Sequence, residues 1–300
     1  MIGIDEAIRV RAFEWTKEQV SIHGDVLPRS LLEQGFEFEG ERIPLIAPQG
    51  IFKPRWLDLP LSITTAPKGP YNDTFSPDGY LLYKYRGDNP LHRDNVGLRR
   101  AMMEGKPLLY FQGLSPGRYA AAWPVYIVGD NPAALTFKVA VDDVDAVSFA
   151  GNQTVLSEAT DARRAYITTL VRQRLHQRTF RERVIIAYLE QCALCRLRHY
   201  ELLDAAHIIP DVEPEGLPSV RNGISLCKLH HAAFDGLLLG ITPDYTIEIR
   251  NDLLEEADGP MLQHGLKELH RTQIVLPRDK QLWPNREALD QRFRRFKLAS

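Results

Sequence analysis

At 300 residues the chain has room for about two domains, and 44% hydrophobic with 25% charged residues is ordinary for a folded, water-soluble protein. Three cysteines cannot all pair with one another, and neither a signal peptide nor an apolar run of about 20 residues occurs, which argues against a secreted or membrane-spanning chain and for the cytoplasm. A net charge of −2 is no nucleic-acid signature, so only the distribution of charge carries information about such a partner.

In chain order, residues 1–20 predict an amphipathic helix with Ile8, Val10, Phe13 and Trp15 on or near its apolar face. From about residue 36 to 141 the pattern changes to short strands broken by Gly and Pro: Phe36-Glu-Phe, Arg42-Ile-Pro-Leu-Ile, Gly79-Tyr-Leu-Leu-Tyr-Lys-Tyr, Lys106-Pro-Leu-Leu-Tyr-Phe and Pro124-Val-Tyr-Ile-Val. A short helix interrupts them from Val96 to Met103. Strand density of this kind predicts a β-barrel or sandwich. The polar stretch from Asp142 to about Thr160 reads as a linker, and 161–190 as one or two connecting helices. Further on, Thr246-Ile-Glu-Ile-Arg250 predicts a strand, the Pro277 and Pro284 region loops, and Glu287–Leu298 a terminal helix. The expected division is 1–150, a connecting 151–184, and 185–300.

Charge concentrates at that connection. Residues 161–200 hold nine Arg against three acids, and Arg172, Arg174, Arg178 and Arg181 are candidate phosphate contacts, with a solvated helix face as the alternative. A second basic cluster, Arg292, Arg294, Arg295 and Lys297, lies near residue 300.

The densest chemistry lies between Cys192 and Asp235, which contains all three cysteines and four of the nine histidines. Zinc favours four tetrahedral thiolate or imidazole ligands. Cys192 and Cys195 have the spacing of a ligating turn, and Cys227 and His230 repeat it 32 residues after Cys195. A redox pair at Cys192 and Cys195 would need a strand before it and would leave Cys227 idle, so a structural zinc ion is the better reading. Cys-x2-His spacing favours His230 over its neighbour His231 as the fourth ligand.

The other polar residues form a second set. His207 reads as the end of a strand, Asn222 follows 15 residues later in Arg-Asn-Gly, and His231 lies 24 residues beyond His207 with Asp235 four further on. On a helix, i and i+4 share a face, so His231 and Asp235 suit a common ion. Asn222 is expected to accept from the His207 imidazole N–H and fix its tautomer. The His…Asn…His order, Ala-His-Ile-x-Pro, Asn-Gly and the flanking cysteines resemble an HNH nuclease of the ββα-metal fold over about 185–245. The resemblance implies His207 as general base, Asn222 as its orienter, and His231 with Asp235 holding Mg²⁺ or Mn²⁺ against the scissile phosphate. Many such nucleases carry a ligand just before the base, where this chain has Ala206. Asp204 supplies that carboxylate in one view; the others are an ion with two protein ligands and more water, or a catalytically inactive domain.

In the first half, Tyr71, Phe75, Tyr80, Tyr83 and Tyr85 give five aromatics in 15 residues. Aromatic pairs beside a carboxylate suit a pocket that stacks a flipped-out base, whereas alternating Tyr also builds barrel wall. Tyr71-x11-Tyr83, the Asn95…Leu98-Arg99…Ala101 helix, Lys106-Pro107 and the Pro124-Val-Tyr-Ile-Val strand are similar to SRA-type domains of the PUA-like group. That resemblance implies a barrel-like module reading modified cytosine by base flipping, with Tyr71 and Tyr83 around the base. Asp73 would be the base-reading acid, although the family's acid falls where this chain has Thr74. Arg93, Arg99 and Arg118 are further candidate phosphate contacts.

Together these readings give an α+β chain: an N-terminal SRA-like domain and a C-terminal HNH domain with a structural zinc. The expected function is a modification-dependent restriction endonuclease acting on double-stranded DNA, as a homodimer or by sequential nicking. The alternatives are an HNH nuclease reading unmodified sequence or shape, a zinc-stabilised DNA-binding regulator without catalysis, and a nuclease with RNA as its target.

Overall fold

The computed structural model of the chain describes residues 3–24, 26–66, 74–76, 80–141, 177–211, 213–257 and 259–299. It divides into two compact units, Met1–Arg178 and Thr179–Ser300. No helix among the described residues is long and apolar enough to cross a membrane.

The first unit opens with helix α1 (Ile4–His23). Ile8, Ala12 and Trp15 recur at helical spacing and are buried, while Val10, expected on that face, is turned outward and 48% exposed. Arg9 is buried and donates to the Pro60 and Pro107 carbonyls at 2.9 and 2.8 Å, tying the helix to two later loops. Then follow β1 (Val26–Pro28), α2 (Arg29–Gln34), β2 (Phe36–Phe38), β3 (Glu41–Ile43), β4 (Ile51–Phe52), β5 (Ser62–Thr65), β6 (Thr74–Phe75), β7 (Leu81–Lys84), α3 (Arg93–Met103), β8 (Leu108–Ser115), β9 (Arg118–Asn131) and β10 (Thr136–Val141). The main sheet runs β4-β5-β8-β9-β10-β7-β6, with β1 added on β9, and among the described residues only the β5–β8 pair is parallel. Among the described residues β4 and β6 are its two edges, so the sheet is a curled half-barrel.

Strand β9 is the spine of this sheet, because β8 pairs along one edge while the other passes from β1 at Arg118–Ala120 to β10 at Val125–Asn131. Trp123 and Pro124 fall in the register shift that separates Ala122 from Val125. A proline, which has no N–H to give a ladder, is tolerated at such a bulge. Alternation along β8 sends Leu108, Tyr110 and Leu114 into one core and Leu109 with Phe111 into another beneath α1. Both faces of the sheet are thereby covered.

Two expectations are corrected here. Tyr83 is not a wall of an open pocket: it is 6% exposed within the first of those cores, and its hydroxyl donates to the Thr64 carbonyl at 3.3 Å. Tyr71 and Asp73 lie outside the described residues. Arg99 is not available to a phosphate, because it donates to Asp130 at 2.5 Å and to the Tyr85 hydroxyl at 3.1 Å, and Tyr85 in turn bonds Asp130. A partly buried guanidinium held this way closes the strand-to-helix junction.

The second unit begins with helix α4, described from 177 to 187, then β11 (Leu203–His207), β12 (Gly223–Cys227), α5 (Lys228–Asp235), β13 (Leu239–Ile241), β14 (Ile247–Ile249), α6 (Asn251–Glu255), α7 (Pro260–Gly265) and α8 (Arg286–Leu298). Strands β11 and β12 pair antiparallel in one register, from Leu203 opposite Cys227 to His207 opposite Gly223. Phe180, Val184 and Tyr188 of the α4 segment pack with Ile224, Leu226, Phe234 and Leu289 in a single core. Asn285 caps α8 by accepting from the Glu287 and Ala288 amides at 2.8 and 3.3 Å.

Candidate active site and metal centre

The β11–β12–α5 unit brings two groups of side chains to its two ends. At one end, Cys192 and Cys195 lie on a turn closed by the Arg196 amide donating to the Cys192 carbonyl at 3.0 Å, with Arg196 at φ 62°. The Ala193 amide ties this turn to Ser225 of β12 at 2.7 Å. Cys227 ends β12 and N-caps α5, which places His230 in the first turn of that helix. One ligand atom from each of Cys192, Cys195, Cys227 and His230 lies within 4.8 Å of the others. The His230 Nδ1 is 3.3 Å from the Cys192 Sγ and 3.2 Å from the Cys227 Sγ, while its Nε2 meets the Gly265 carbonyl at 2.7 Å. Donation from Nε2 to that carbonyl fixes the tautomer and leaves the Nδ1 lone pair for the cluster, as a metal-ligating histidine requires. Three sulfurs and one imidazole nitrogen are a donor set suited to a tetrahedral soft or borderline cation such as zinc.

At the other end, His207 closes β11. Its ring is half-buried and stacks on Phe180, with centroids 4.0 Å apart and planes at 16°. Burial pushes the His207 pKa below the ordinary histidine value, against the charges of Asp211, Asp235 and Asp204, which raise it, while His231 adds to the lowering. Neutral imidazole is therefore the favoured form.

Asn222 is not the partner of that ring. Its carboxamide accepts from the Ile209 amide at 2.9 Å and donates to the Ile209 and Leu217 carbonyls at 2.9 and 3.1 Å. Its own carbonyl accepts from the Ile208 amide at 2.9 Å. The expected bond to His207 is replaced by four bonds that hold the chain leaving β11, so Asn222 shapes the loop that follows His207. Backbone amides are fixed, obligatory partners and out-compete a mobile ring for a short side chain.

On α5, His231 and Asp235 share a face as their spacing predicts, with Nε2 3.2 Å from an Asp235 carboxylate oxygen. Asp204 approaches the opposite ring nitrogen, Nδ1, at 3.4 Å. It also pairs with Lys228 at 2.9 Å and Arg181 at 3.6 Å. Burial raises the Asp204 pKa, but the hydrogen bonds from His231 and Lys228 outweigh it and hold the carboxyl well below the usual range. The bond to Asp204 likewise raises the His231 pKa. Because Asp204 and Asp235 sit on opposite nitrogens of one ring, the three groups do not converge. Among the described residues only the cysteine–histidine cluster brings three or more ligand atoms together. Ala206, at the position where a further ligand was sought, is fully buried in the core.

Arg181 also departs from expectation. It donates to the Tyr200 hydroxyl and carbonyl at 2.7 and 3.2 Å and to the Leu203 carbonyl at 2.8 Å, and lies 4.6 Å over the Tyr200 ring. A guanidinium so engaged anchors the start of β11 and has little left for a phosphate. Arg172 and Arg174 lie outside the described residues, and Arg178 lies in the described part of α4.

Two members of the second basic cluster, Arg292 and Arg295, brace other elements, while Arg294 pairs with Asp290 on its own helix and Lys297 with Glu248 at the surface. Arg292 of α8 is 8% exposed, donates to the Phe234 carbonyl at 2.9 Å, and reaches the Asp235 carboxylate at 3.3 Å. Arg295 forms a two-pronged pair with Glu213 at 2.6 and 2.7 Å, on the loop after His207. Thus α8 grips both the helix bearing His231 and the loop beyond His207. Its helical period was legible in the sequence; the partners of its arginines were not, because they are 57 and 82 residues distant.

Residues 192–242 match the family profile described as HNH endonuclease. Two solved structures resemble the chain at 16% identity. One is a modification-dependent TagI restriction endonuclease, with 79% of this chain and 81% of that one covered at a TM-score of 0.30. The other is the type IV phosphorothioation-dependent restriction endonuclease ScoMcrA, with 70% and 53% covered at a TM-score of 0.22. No curated protein sequence matches the chain. The matched segment, 192–242, contains β11, β12 and α5, so the likeness to HNH endonucleases falls on the unit that carries His207, Asn222 and His231.

Proposed function

We propose that the chain is a metal-dependent endonuclease acting on double-stranded DNA, with His207 as its general base. The observation that carries this reading is the state of His207. Burial keeps it neutral, and its ring nitrogens bond to no other described residue, so a lone pair is available to take a proton from water. His231 Nε2 and Asp235 offer one nitrogen and one hard oxygen donor, a set that fits Mg²⁺ or Mn²⁺ completed by water. When bound, such an ion polarises the phosphate and stabilises the leaving 3′-oxygen. Asp204 accepts from His231 Nδ1–H and so directs Nε2 outward, a positioning role in place of the ligand role first considered. Arg292 holds one oxygen of Asp235 while the other meets His231. Hydrolysis at this site leaves 5′-phosphate and 3′-hydroxyl ends. The zinc cluster is structural: it fixes His230 and with it the adjacent His231.

For the first unit we propose an SRA-like reader of modified cytosine that extrudes the base. The run of aromatics from Tyr71 to Tyr85 and the curled sheet support this reading. Tyr83, 6% exposed, would have to be uncovered to serve as a wall of that pocket. The same burial favours a second reading, in which this unit selects unmodified sequence or DNA shape. One active site per chain and two DNA strands call for a homodimer or sequential nicks.

Cleavage of one plasmid carrying cytosine, 5-methylcytosine or 5-hydroxymethylcytosine, with Mg²⁺, Mn²⁺ or EDTA, tests both parts. Cutting of modified DNA only, abolished by EDTA and by His207→Ala, is the expected result. Equal cutting of all three sinks the modified-base reader and leaves the nuclease. No cutting of any form, with binding retained, would make the chain a zinc-stabilised binding module.

A further inference from the structure

An aromatic ring, Phe180, lies flat against His207. In the β11–β12 register His207 lies opposite Gly223. A Cβ built on Gly223 would stand 2.4 Å from Val184 Cγ2, 2.8 Å from Phe180 Cζ and 3.0 Å from Phe180 Cε2. Helix α4 therefore lays Phe180 and Val184 directly on the strand-end backbone. The next turn adds the Tyr188 hydroxyl, 3.5 Å from the Gly223 carbonyl. Residues 180 and 184 fall on one face of α4 and Tyr188 follows just past its end, so the approach belongs to the element and not to one rotamer. Phe180 is 3% exposed and fills the space between this glycine and the imidazole.

Since the Asn222 carboxamide is engaged with Ile209 and Leu217, no hydrogen bond from it sets the plane of the His207 ring. We propose that Phe180 is the positioning residue of the base: its face fixes the imidazole plane by stacking, and Gly223 is there so that the plate can reach it. A flat partner restricts rotation about the ring torsion, which is otherwise broad, and covers one face while leaving the nitrogen-bearing edge open. This rests on the reading of His207 as the base.

The test is a double-mutant cycle on DNA cleavage, using the full chain, with melting temperature and zinc content measured for every variant. Phe180→Leu keeps apolar bulk and removes the flat face. It should lower kcat by about 10–100-fold with KM within about twofold, the signature of a group needed in the transition state and not for binding. In a His207→Ala background the same substitution should change the residual rate less than twofold. Val184→Ala, on the same helical face and also against Gly223, should lower the melting temperature but leave kcat within about twofold. Phe180→Met serves identically if the Leu variant does not fold. A loss of kcat no larger than that of Val184→Ala, or an equal loss with and without His207, would overturn the proposal. Unimpaired cleavage by His207→Ala would instead overturn the assignment of the base.

Discussion

Replacing Cys195 by serine tests the metal centre most directly, because Cys195 is the exposed member of the four and its loss disturbs the core least. The hydroxyl is a poor zinc ligand, and we take the loss in affinity as about a thousandfold. With zinc in excess, that weakens the linkage stabilising the folded state by about 4 kcal/mol. In a unit of about 120 residues, 1 kcal/mol moves Tm by roughly 3–6 °C, so a fall of about 12–24 °C is expected. The effect should be confined to the transition of the second unit, since the ligands all lie within Thr179–Ser300. Cleavage should fail with it, because His230 and His231 are adjacent on α5 and one cannot shift alone. The assay is differential scanning calorimetry with elemental analysis for zinc, followed by cleavage at 25 °C. Wild-type protein without stoichiometric zinc, or a Cys195→Ser variant with unchanged Tm and activity, would refute the argument that this cluster holds the fold.

Other expectations follow from the site. Burial lowers the pKa of His207, so the neutral base persists below the ordinary value of about 6.5. The acid limb of kcat/KM should therefore fall at a lower pH than for an exposed histidine, and a limb at or above 6.5 would contradict it. Asp204→Asn keeps the shape but weakens the anchor on His231 Nδ1; titration should show Mg²⁺ or Mn²⁺ affinity reduced by about 10–100-fold. Complete loss of metal binding would restore Asp204 to the ligand set. Arg181→Leu should cost about 1–3 kcal/mol in urea unfolding, because it strips the bonds to Tyr200 and the Leu203 carbonyl. It should leave the salt dependence of DNA binding unchanged; a slope smaller by about one would mean that Arg181 does meet a phosphate.

What could be read from the chain without a structure divides along a physical line. The three-cysteine, one-histidine cluster was legible because two ligand pairs at fixed short spacing suffice to define it, and the structure places all four together. The end of β11 at His207 and the shared face of His231 and Asp235 were equally legible, being consequences of strand ends and helical period. Terminal helix α8 emerged within one residue of its expected start for the same reason.

Tertiary structure alone decided how the polar groups are used. Asn222 bonds the loop in place of His207, Asp204 meets the far nitrogen of His231, Arg181 turns inward from the stretch read as a phosphate track, and Arg292 turns inward from the second basic cluster. Tyr83 belongs to the core, although its spacing from Tyr71 suggested a pocket. Side-chain type and local period fix which residues lie on one strand or helix. Which of several nearby donors an arginine, asparagine or carboxylate finally meets depends on groups tens of residues away, whose approach only the packed core sets.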